Sequence, residues 1–296
     1  MEKDLYNFEH RWKLRDWIDE TKLNTRCLLS NRNSIYYIEN KIIKEKNENI
    51  WYWDYLISVN ESAMCLLEKN LDKINWLFLC KNPSAIYLLE KNSEKIDWGF
   101  LSCNPSAIHL LEKNYQYEDI CWLELSLNPA ATSLLENNIE KINWYYLSNN
   151  PGAGAMDILE KNQDKIIWSS LSLNRAGIRL LEKNIDKIEW ESLSSNSSAI
   201  HLLEKYPEKI DWGGLSSNSA AIHLLEKNIE KINWMELSSN TGAIDLLEKN
   251  QDRIDWNYLS QNPSIFELDY DFFKRRMDII REELMMKVWN PNRIIN

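Results

Sequence analysis

Tryptophan recurs along this chain of 296 residues at steps of 22 to 24 residues, and the surrounding sequence recurs with it. The segment from Trp98 to Asn114 reads WGFLSCNPSAIHLLEKN, and the segment from Trp234 to Asn250 reads WMELSSNTGAIDLLEKN. A period of this length is typical of solenoids, in which each unit buries its apolar face only against its neighbours. The repeat therefore constrains the fold more strongly than length or composition does.

Each unit contains two short stretches with helical spacing. The first, helix B, begins after an Asp or Asn that can accept a hydrogen bond from the first turn. It places the tryptophan and a leucine three residues later on one face, as in Trp98 and Leu101. We expect these tryptophans to form a buried ladder that contributes more to stability than any other position.

The second stretch, helix A, follows an asparagine that stands at the same place in eleven units. In several units a proline comes next, which favours a helix start. We expect helix A to end at a second asparagine, such as Asn92, in a left-handed C-cap. The eleven junction asparagines are Asn31, Asn60, Asn82, Asn104, Asn128, Asn150, Asn174, Asn196, Asn218, Asn240 and Asn262.

The leucine-rich repeat is the main alternative, because it shares the period and the recurring asparagine. The leucine-rich repeat needs an apolar residue five positions before the asparagine, so that apolar and polar residues alternate along a strand. This chain has Gly99, Ser169 and Glu191 at that place, and the alternation fails. The pattern therefore favours helices over a horseshoe that contains strands.

We predict an all-α fold, an α-solenoid of about ten to eleven short two-helix repeats of 22–24 residues with N- and C-terminal caps. Residues 1–22 would form the N-terminal cap, residues 23–268 the array with a degenerate first unit, and residues 269–296 the C-terminal capping helix and tail. At about 8–10 Å per unit, the array would be a gently curved, right-handed rod roughly 90–100 Å long.

Charge and composition exclude several classes of protein. A formal charge of −10 opposes nucleic-acid binding, which needs clustered Lys and Arg. The sequence contains no window of 18 consecutive apolar residues, so it does not predict a membrane span. The N-terminus lacks the apolar segment of a secretion signal. The five cysteines occupy different repeat positions without CxxC pairs, so we expect free thiols in a reducing compartment.

No residue pattern points to catalysis, a metal or a cofactor. Three histidines share one position in helix A, but neighbouring units would hold them about 8–10 Å apart, too far for one ion. That position is Asp or Arg in other units, which is typical of a variable surface. The chain has no nucleophile elbow and no phosphate-binding glycine loop. We therefore predict a protein that is not an enzyme, with no catalytic, cofactor or metal site.

The positions that vary between units are the best candidates for a binding surface. The two residues after each tryptophan change freely, and aromatic residues are concentrated there in the N-terminal half. Stacked units present such positions in rows, and aromatic side chains are frequent anchors for protein partners. Packing between neighbouring units is an equally good explanation for Phe78 and Phe100. The candidate residues are Tyr55, Phe78, Tyr87, Phe100, His109, Tyr145 and Tyr146.

Two terminal stretches carry a family resemblance. KLRDWIDETKLN (Lys13 to Asn24) and FKRRMDIIREELMMKVWNP (Phe273 to Pro291) bracket units such as NPSAIHLLEKNSEKIDW. This layout resembles the 22-residue-repeat proteins of giant DNA viruses, which are loosely labelled ankyrin-like. The resemblance covers essentially the whole chain and implies a viral protein that acts in a host cell or in the particle. The period and motif are not those of ankyrin, and the resemblance supplies no catalytic residue.

The sequence therefore predicts a soluble, monomeric scaffold or adaptor that binds protein partners, located in the host cytoplasm or the virion and not secreted. A structural component of a viral particle is the first alternative. A helical repeat protein that binds RNA is the second, and the acidic charge opposes it.

Overall fold

The computed structural model describes residues 11–39, 53–114 and 119–288, and within these ranges the fold is an all-α solenoid of short helices. The α-helices are, in chain order, α1 (Thr25–Ser30), α2 (Ile35–Ile38), α3 (Met64–Glu68), α4 (Trp76–Leu79), α5 (Ile86–Lys91), α6 (Trp98–Leu101), α7 (Ile108–Asn114), α8 (Trp122–Leu127), α9 (Thr132–Glu136), α10 (Trp144–Asn149), α11 (Ala153–Lys161), α12 (Trp168–Leu173), α13 (Ile178–Lys183), α14 (Trp190–Ser194), α15 (Ile200–Lys205), α16 (Trp212–Ser217), α17 (Ile222–Glu226), α18 (Trp234–Ser239), α19 (Ile244–Glu248), α20 (Trp256–Gln261) and α21 (Tyr270–Val288). Helix α1 and the even-numbered helices from α4 to α20 are the B helices. Helix α2 and the odd-numbered helices from α3 to α19 are the A helices.

Local polar contacts set where most B helices begin, as the sequence predicts, although α8 and α12 have no side-chain cap. The Asp97 carboxylate accepts from the backbone N–H of Phe100 (2.8 Å) and caps α6. The Asn104 side chain accepts from the backbone N–H of Ser106 (3.0 Å). Pro105 follows it and opens a one-turn 3₁₀ helix that leads into α7.

A third element, a one-turn 3₁₀ helix after eight of the A helices, was not predicted. The second asparagine precedes it, and the left-handed C-cap expected there is wrong. Asn92 has φ −129° and ψ 51°, outside the left-handed region, and its amide donates to the carbonyl of Leu88 (2.8 Å). These 3₁₀ helices are Leu71–Lys73, Ser93–Lys95, Ile139–Lys141, Gln163–Lys165, Ile185–Lys187, Pro207–Lys209, Ile229–Lys231 and Gln251–Arg253, with Glu20–Lys22 before α1.

The core is formed by aliphatic residues rather than by tryptophan. Leu147, three residues after Trp144, is fully buried, as are the equivalent leucines of the other units from α4 to α20. Trp144 is only half-buried, so the expected buried tryptophan ladder is wrong. The Lys165 ammonium of the next unit lies 4.7 Å from the centre of the Trp144 ring. Seven tryptophans combine partial burial with a cation–π contact of this kind, whereas Trp190 packs edge-to-face on Tyr206.

Hydrogen bonds from the junction asparagines join each unit to the preceding one. Asn196, which is buried, donates from its side-chain amide to the carbonyls of Ser172 and Asn174 (both 3.0 Å). The Ser194 hydroxyl donates to Trp190 O (2.8 Å) and accepts from the N–H of Asp211 (2.9 Å) in the next unit. In the other units from the second onward, the junction asparagine also donates from its side-chain amide to a backbone carbonyl of the preceding unit. The acceptor is the residue two positions before that unit's own junction asparagine. The donors are Asn60, Asn82, Asn104, Asn128, Asn150, Asn174, Asn218, Asn240 and Asn262.

The same bonds close the array into a ring. Asn31 of the first unit donates to the carbonyls of Ser260 (3.1 Å) and Asn262 (3.0 Å) in the last unit. The backbone N–H of Asn24 donates to the Ser260 hydroxyl (2.8 Å), which repeats the serine contact made between adjacent units elsewhere. The degenerate first unit therefore stacks on the last one as if it were the next repeat.

Further contacts at this joint reinforce the closure. Lys22 lies over the Trp256 ring at 5.0 Å, which continues the row of cation–π pairs across the joint. Strand β1 (Trp12–Leu14) pairs antiparallel with β2 (Phe266–Leu268). The extended rod that we expected is therefore wrong. Eleven units form a closed ring, because the curvature between neighbours accumulates to a full turn.

The B helices form the inner row of the ring. From α8 through α20 and on to α1, neighbouring B helices contact each other along their length, whereas neighbouring A helices scarcely do so. In a closed array, the more closely spaced row lies nearer the axis. At about 8–10 Å between helix axes, eleven units give the B row a radius of roughly 15 Å.

The second unit contains one residue more than the others between its tryptophan and its junction asparagine. Trp53–Ile57 forms a π-helix, which accommodates the extra residue without moving Asn60 out of register. Ile57 takes the place of the fully buried leucine in this unit.

The C-terminal helix α21 does not lie flat on the last repeat, where we expected a cap. Phe272 in its first turn is buried and packs edge-to-face on Phe273. Met277, Leu284 and Met286 are exposed, so the helix beyond its first turns extends away from the array. The end of the last unit is covered by the first unit instead.

Candidate binding surface

The exposed face of each B helix carries the residue that directly follows the tryptophan. Successive residues of a helix are rotated by about 100° about its axis, so this position lies on the opposite face from the buried leucine two residues later. Its side chain is 45% exposed at Leu77, 39% at Leu123 and 56% at Tyr145. Tyr55, displaced by the π-helix, is 52% exposed. These residues lie on the inner row of the ring.

Three of the candidate aromatic residues form a continuous run across three units. The Tyr55 ring packs edge-to-face on Phe78 with centroids 4.5 Å apart, and Phe78 packs in the same way on Phe100 at 5.5 Å. Phe78 and Phe100 are half-buried. Both sequence interpretations therefore apply, because these two rings pack between units while their remaining surface faces water.

An ion pair borders this run. The Lys81 ammonium lies 5.2 Å from the Phe100 ring centre and 3.1 Å from a Glu124 carboxylate oxygen, two units further along the chain. Partial burial is the largest single influence on Lys81 and lowers its pKa. The hydrogen bond to Glu124 and the electrostatic attraction of Cys103, Glu124 and Tyr55 together outweigh burial, so the pKa of Lys81 is raised. A side chain can span two units in this way where the surface is concave.

Tyr145 and Tyr146 extend the aromatic surface to the sixth unit. Their rings contact each other edge-to-face at 5.4 Å on α10. Tyr146 is half-buried, whereas Tyr145 faces solvent. We define the aromatic arc as the inner surface of units two to six, which consists of Tyr55, Leu77, Phe78, Phe100, Leu123, Tyr145 and Tyr146.

The other two candidates, Tyr87 and His109, lie on A helices and not on the aromatic arc. Tyr87 packs under the Lys91 ammonium at 5.7 Å. His109 pairs with Glu90 of the preceding unit at 2.9 Å. The predicted set therefore divides between two rows, of which only the inner one is continuous.

Sequence reasoning missed two members of the arc, Leu77 and Leu123. They stand directly after the tryptophan, as Tyr145 does, so the repeat register was the signal that could have found them. Attention to aromatic residues alone left them out.

The inner positions in units seven to eleven are mostly small or polar, and we call them the polar arc. Its larger apolar residues are Leu173, which is 46% exposed, Met235, which is 43% exposed, and the half-buried Tyr258. Of the five residues that follow the tryptophan there, only Met235 is apolar. Glu191 and Glu236 place carboxylates on this arc, and none of the positions that follow its tryptophans carries a lysine or arginine. The equivalent position of the first unit, beside the arc, is the exposed Arg26. The residues that directly follow the tryptophan are Ser169, Glu191, Gly213, Met235 and Asn257.

The three histidines of the A helices each pair with a glutamate of the preceding unit, at 2.8 to 3.0 Å. Among residues 11–39, 53–114 and 119–288, no three His, Cys, Asp or Glu side chains lie where they could share a metal ion. In the same part of the chain, no helix combines the length and the apolarity that crossing a membrane requires.

The chain matches no known protein-family model, no curated protein and no solved structure.

Proposed function

We propose that this protein is a non-enzymatic interaction module that binds a protein partner on the inner surface of its ring. The observation that carries the proposal is the exposure of Leu77, Leu123 and Tyr145 at one repeat position in the third, fifth and sixth units, with the half-buried Phe100 in the unit between. Contiguous exposed apolar side chains are uncommon on a surface that faces only water, and they are typical of interfaces.

Packing within the ring accounts for only part of the aromatic arc. Phe78 and Phe100 contribute to inter-unit contacts, so their apolar character has a structural role. Leu123 and Tyr145 are 39% and 56% exposed, and the fold gains little from an apolar group at these positions. A serine would serve equally well there, as Ser169 does in the seventh unit. This contrast supports a binding role for the arc.

The test is a selection of binders from a displayed peptide library with three forms of the full chain. One is the native protein, and one is the double variant Leu123→Ser/Tyr145→Ser on the arc. The third, Tyr87→Ser on the outer row, is a matched control because it also replaces an exposed tyrosine.

We expect peptides enriched on the native protein to bind the arc variant at least about tenfold more weakly, since removing interface anchors typically costs 1–2 kcal/mol or more. The Tyr87→Ser control should bind them like the native protein. Equal binding by all three forms, with unchanged circular dichroism, would contradict the proposal.

A further inference from the structure

The two sides of the ring's inner surface differ in chemistry, and we propose that its partner is an amphipathic α-helix with a basic face. The apolar face of this helix lies on the aromatic arc, and its basic face lies toward Glu191 and Glu236. This inference rests on the proposed function and adds the chemical class of the partner.

The size of the bore limits what can occupy it. With the B-helix axes at a radius of roughly 15 Å and a helix half-width of about 5–6 Å, the opening is on the order of 20 Å across. A folded domain of 100 residues has a radius of gyration near 13 Å and is too wide to enter. A single α-helix, about 10–12 Å wide with its side chains, fits against one wall.

The apolar side of the occupant follows from the aromatic arc. Exposed apolar side chains recur there in the second, third, fifth and sixth units, so the wall is apolar over several adjacent units. The charges on the arc, Lys81 and Glu124, neutralise each other at 3.1 Å. This wall therefore selects an apolar face and has no preference for a charged one.

The basic side of the occupant follows from the opposite wall. The arc is centred on the fourth unit, and in a ring of eleven the position opposite lies between the ninth and tenth units. Glu191 in the eighth unit and Glu236 in the tenth flank that position. Long lysine or arginine side chains on the back of a helix can span the remaining width of the bore and reach these carboxylates.

Double-stranded DNA has a similar width, but the inner surface opposes it. A duplex needs several cations against its phosphates, whereas the polar arc and the first unit together offer two carboxylates and one cation, Arg26. The charge of −10 on the whole chain acts in the same direction.

The experiment measures binding of three labelled synthetic peptides of about 18 residues to the full chain by fluorescence anisotropy. The first has leucine at helical spacing on one face and lysine on the other. The second keeps the leucines and replaces lysine with glutamate. The third has the composition of the first in a scrambled order without an apolar face.

We expect the first peptide to bind, and the second and third to bind at least about tenfold more weakly. The variant Leu123→Ser/Tyr145→Ser should weaken the first peptide about tenfold. The variant Glu191→Gln/Glu236→Gln should weaken it several-fold, and this loss should shrink at high salt. Tyr87→Ser should leave it unchanged. All of these substitutions are at partly or fully exposed side chains, so circular dichroism should report a native fold.

Equal binding of the glutamate peptide, or a lack of effect of the Glu191→Gln/Glu236→Gln variant, would overturn the basic-helix inference and leave the proposed function in place. Failure of the first peptide to bind would also overturn it. Equal binding of the scrambled peptide would show attraction by charge alone and reject the inference. The proposed function would be refuted by a separate result, namely that the library-selected peptides bind the Leu123→Ser/Tyr145→Ser variant as strongly as the native protein.

Discussion

The closure of the ring predicts that a substitution near the N-terminus destabilises the last repeat. Asn31→Ala removes two hydrogen bonds that this buried amide donates to Ser260 and Asn262, and one that it accepts from Asn33. Each such bond contributes roughly 0.5–1.5 kcal/mol, so the free energy of unfolding should fall by about 2–4 kcal/mol.

Asn196→Ala is the matched control inside the array. It removes the same three contacts, to Ser172, Asn174 and Ser198, at nearly the same distances. In an open array a change at the terminal unit affects only its own end, because each unit contacts only its neighbours. In a closed ring the two substitutions should cost similar amounts in urea denaturation.

Hydrogen exchange measured by mass spectrometry locates the effect. With Asn31→Ala, amide exchange should rise in α20 and the residues after it, more than 220 residues away in sequence. Small-angle scattering gives an independent check, because a ring should have a radius of gyration of roughly 20 Å and a rod of roughly 95 Å at least about 26 Å. Unchanged exchange in α20, together with a loss below about 0.5 kcal/mol, would refute the closed ring.

Three further predictions concern packing inside the ring. Gly213→Ala should raise the free energy of unfolding by up to about 1 kcal/mol. Gly214→Ala should lower it, because a Cβ there would lie 2.8 Å from a neighbouring hydroxyl and 3.0 Å from a carbonyl oxygen. Thermal melting that ranks the two variants the other way would show that the neighbouring atoms move aside for the Cβ. Trp144→Ala should cost about 2–3 kcal/mol in urea unfolding, less than the 3–5 kcal/mol typical of a fully buried tryptophan, and a loss above 4 kcal/mol would contradict its half-exposed position. Burial raises the pKa of the Cys80 thiol, so a smaller fraction of this thiol is thiolate at pH 8. Iodoacetamide should therefore label the exposed Cys65 before Cys80 in the native protein. Equal labelling rates at the two cysteines would show that the core opens readily.

The repeat itself could be predicted from sequence because its determinants are local. Asp97 and Asn104 cap helices through contacts two or three residues away, and Leu101 is buried at the expected place. The first unit could also be aligned correctly, since Asn24 caps α1 in the way that Asp97 caps α6.

The structure places the candidate residues on two different helix rows. It brings Tyr55, Phe78 and Phe100 into contact on one of them. Tyr87 and His109 stand at a variable position of helix A, and the sequence did not show that this position lies on the other row. Which helix row faces inward depends on the curvature of the whole array, and no single unit specifies that curvature.

The sequence by itself determined the unit: its helices, its caps, its buried leucines and the asparagine at each junction. These features depend on contacts within a unit or between adjacent units, and every repeat encodes them again. The tertiary structure alone decided that eleven units close into a ring, that the tryptophans remain half-exposed and that the arc faces inward. Small angles between neighbouring units accumulate over the array, and only their sum shows that Asn31 reaches Ser260.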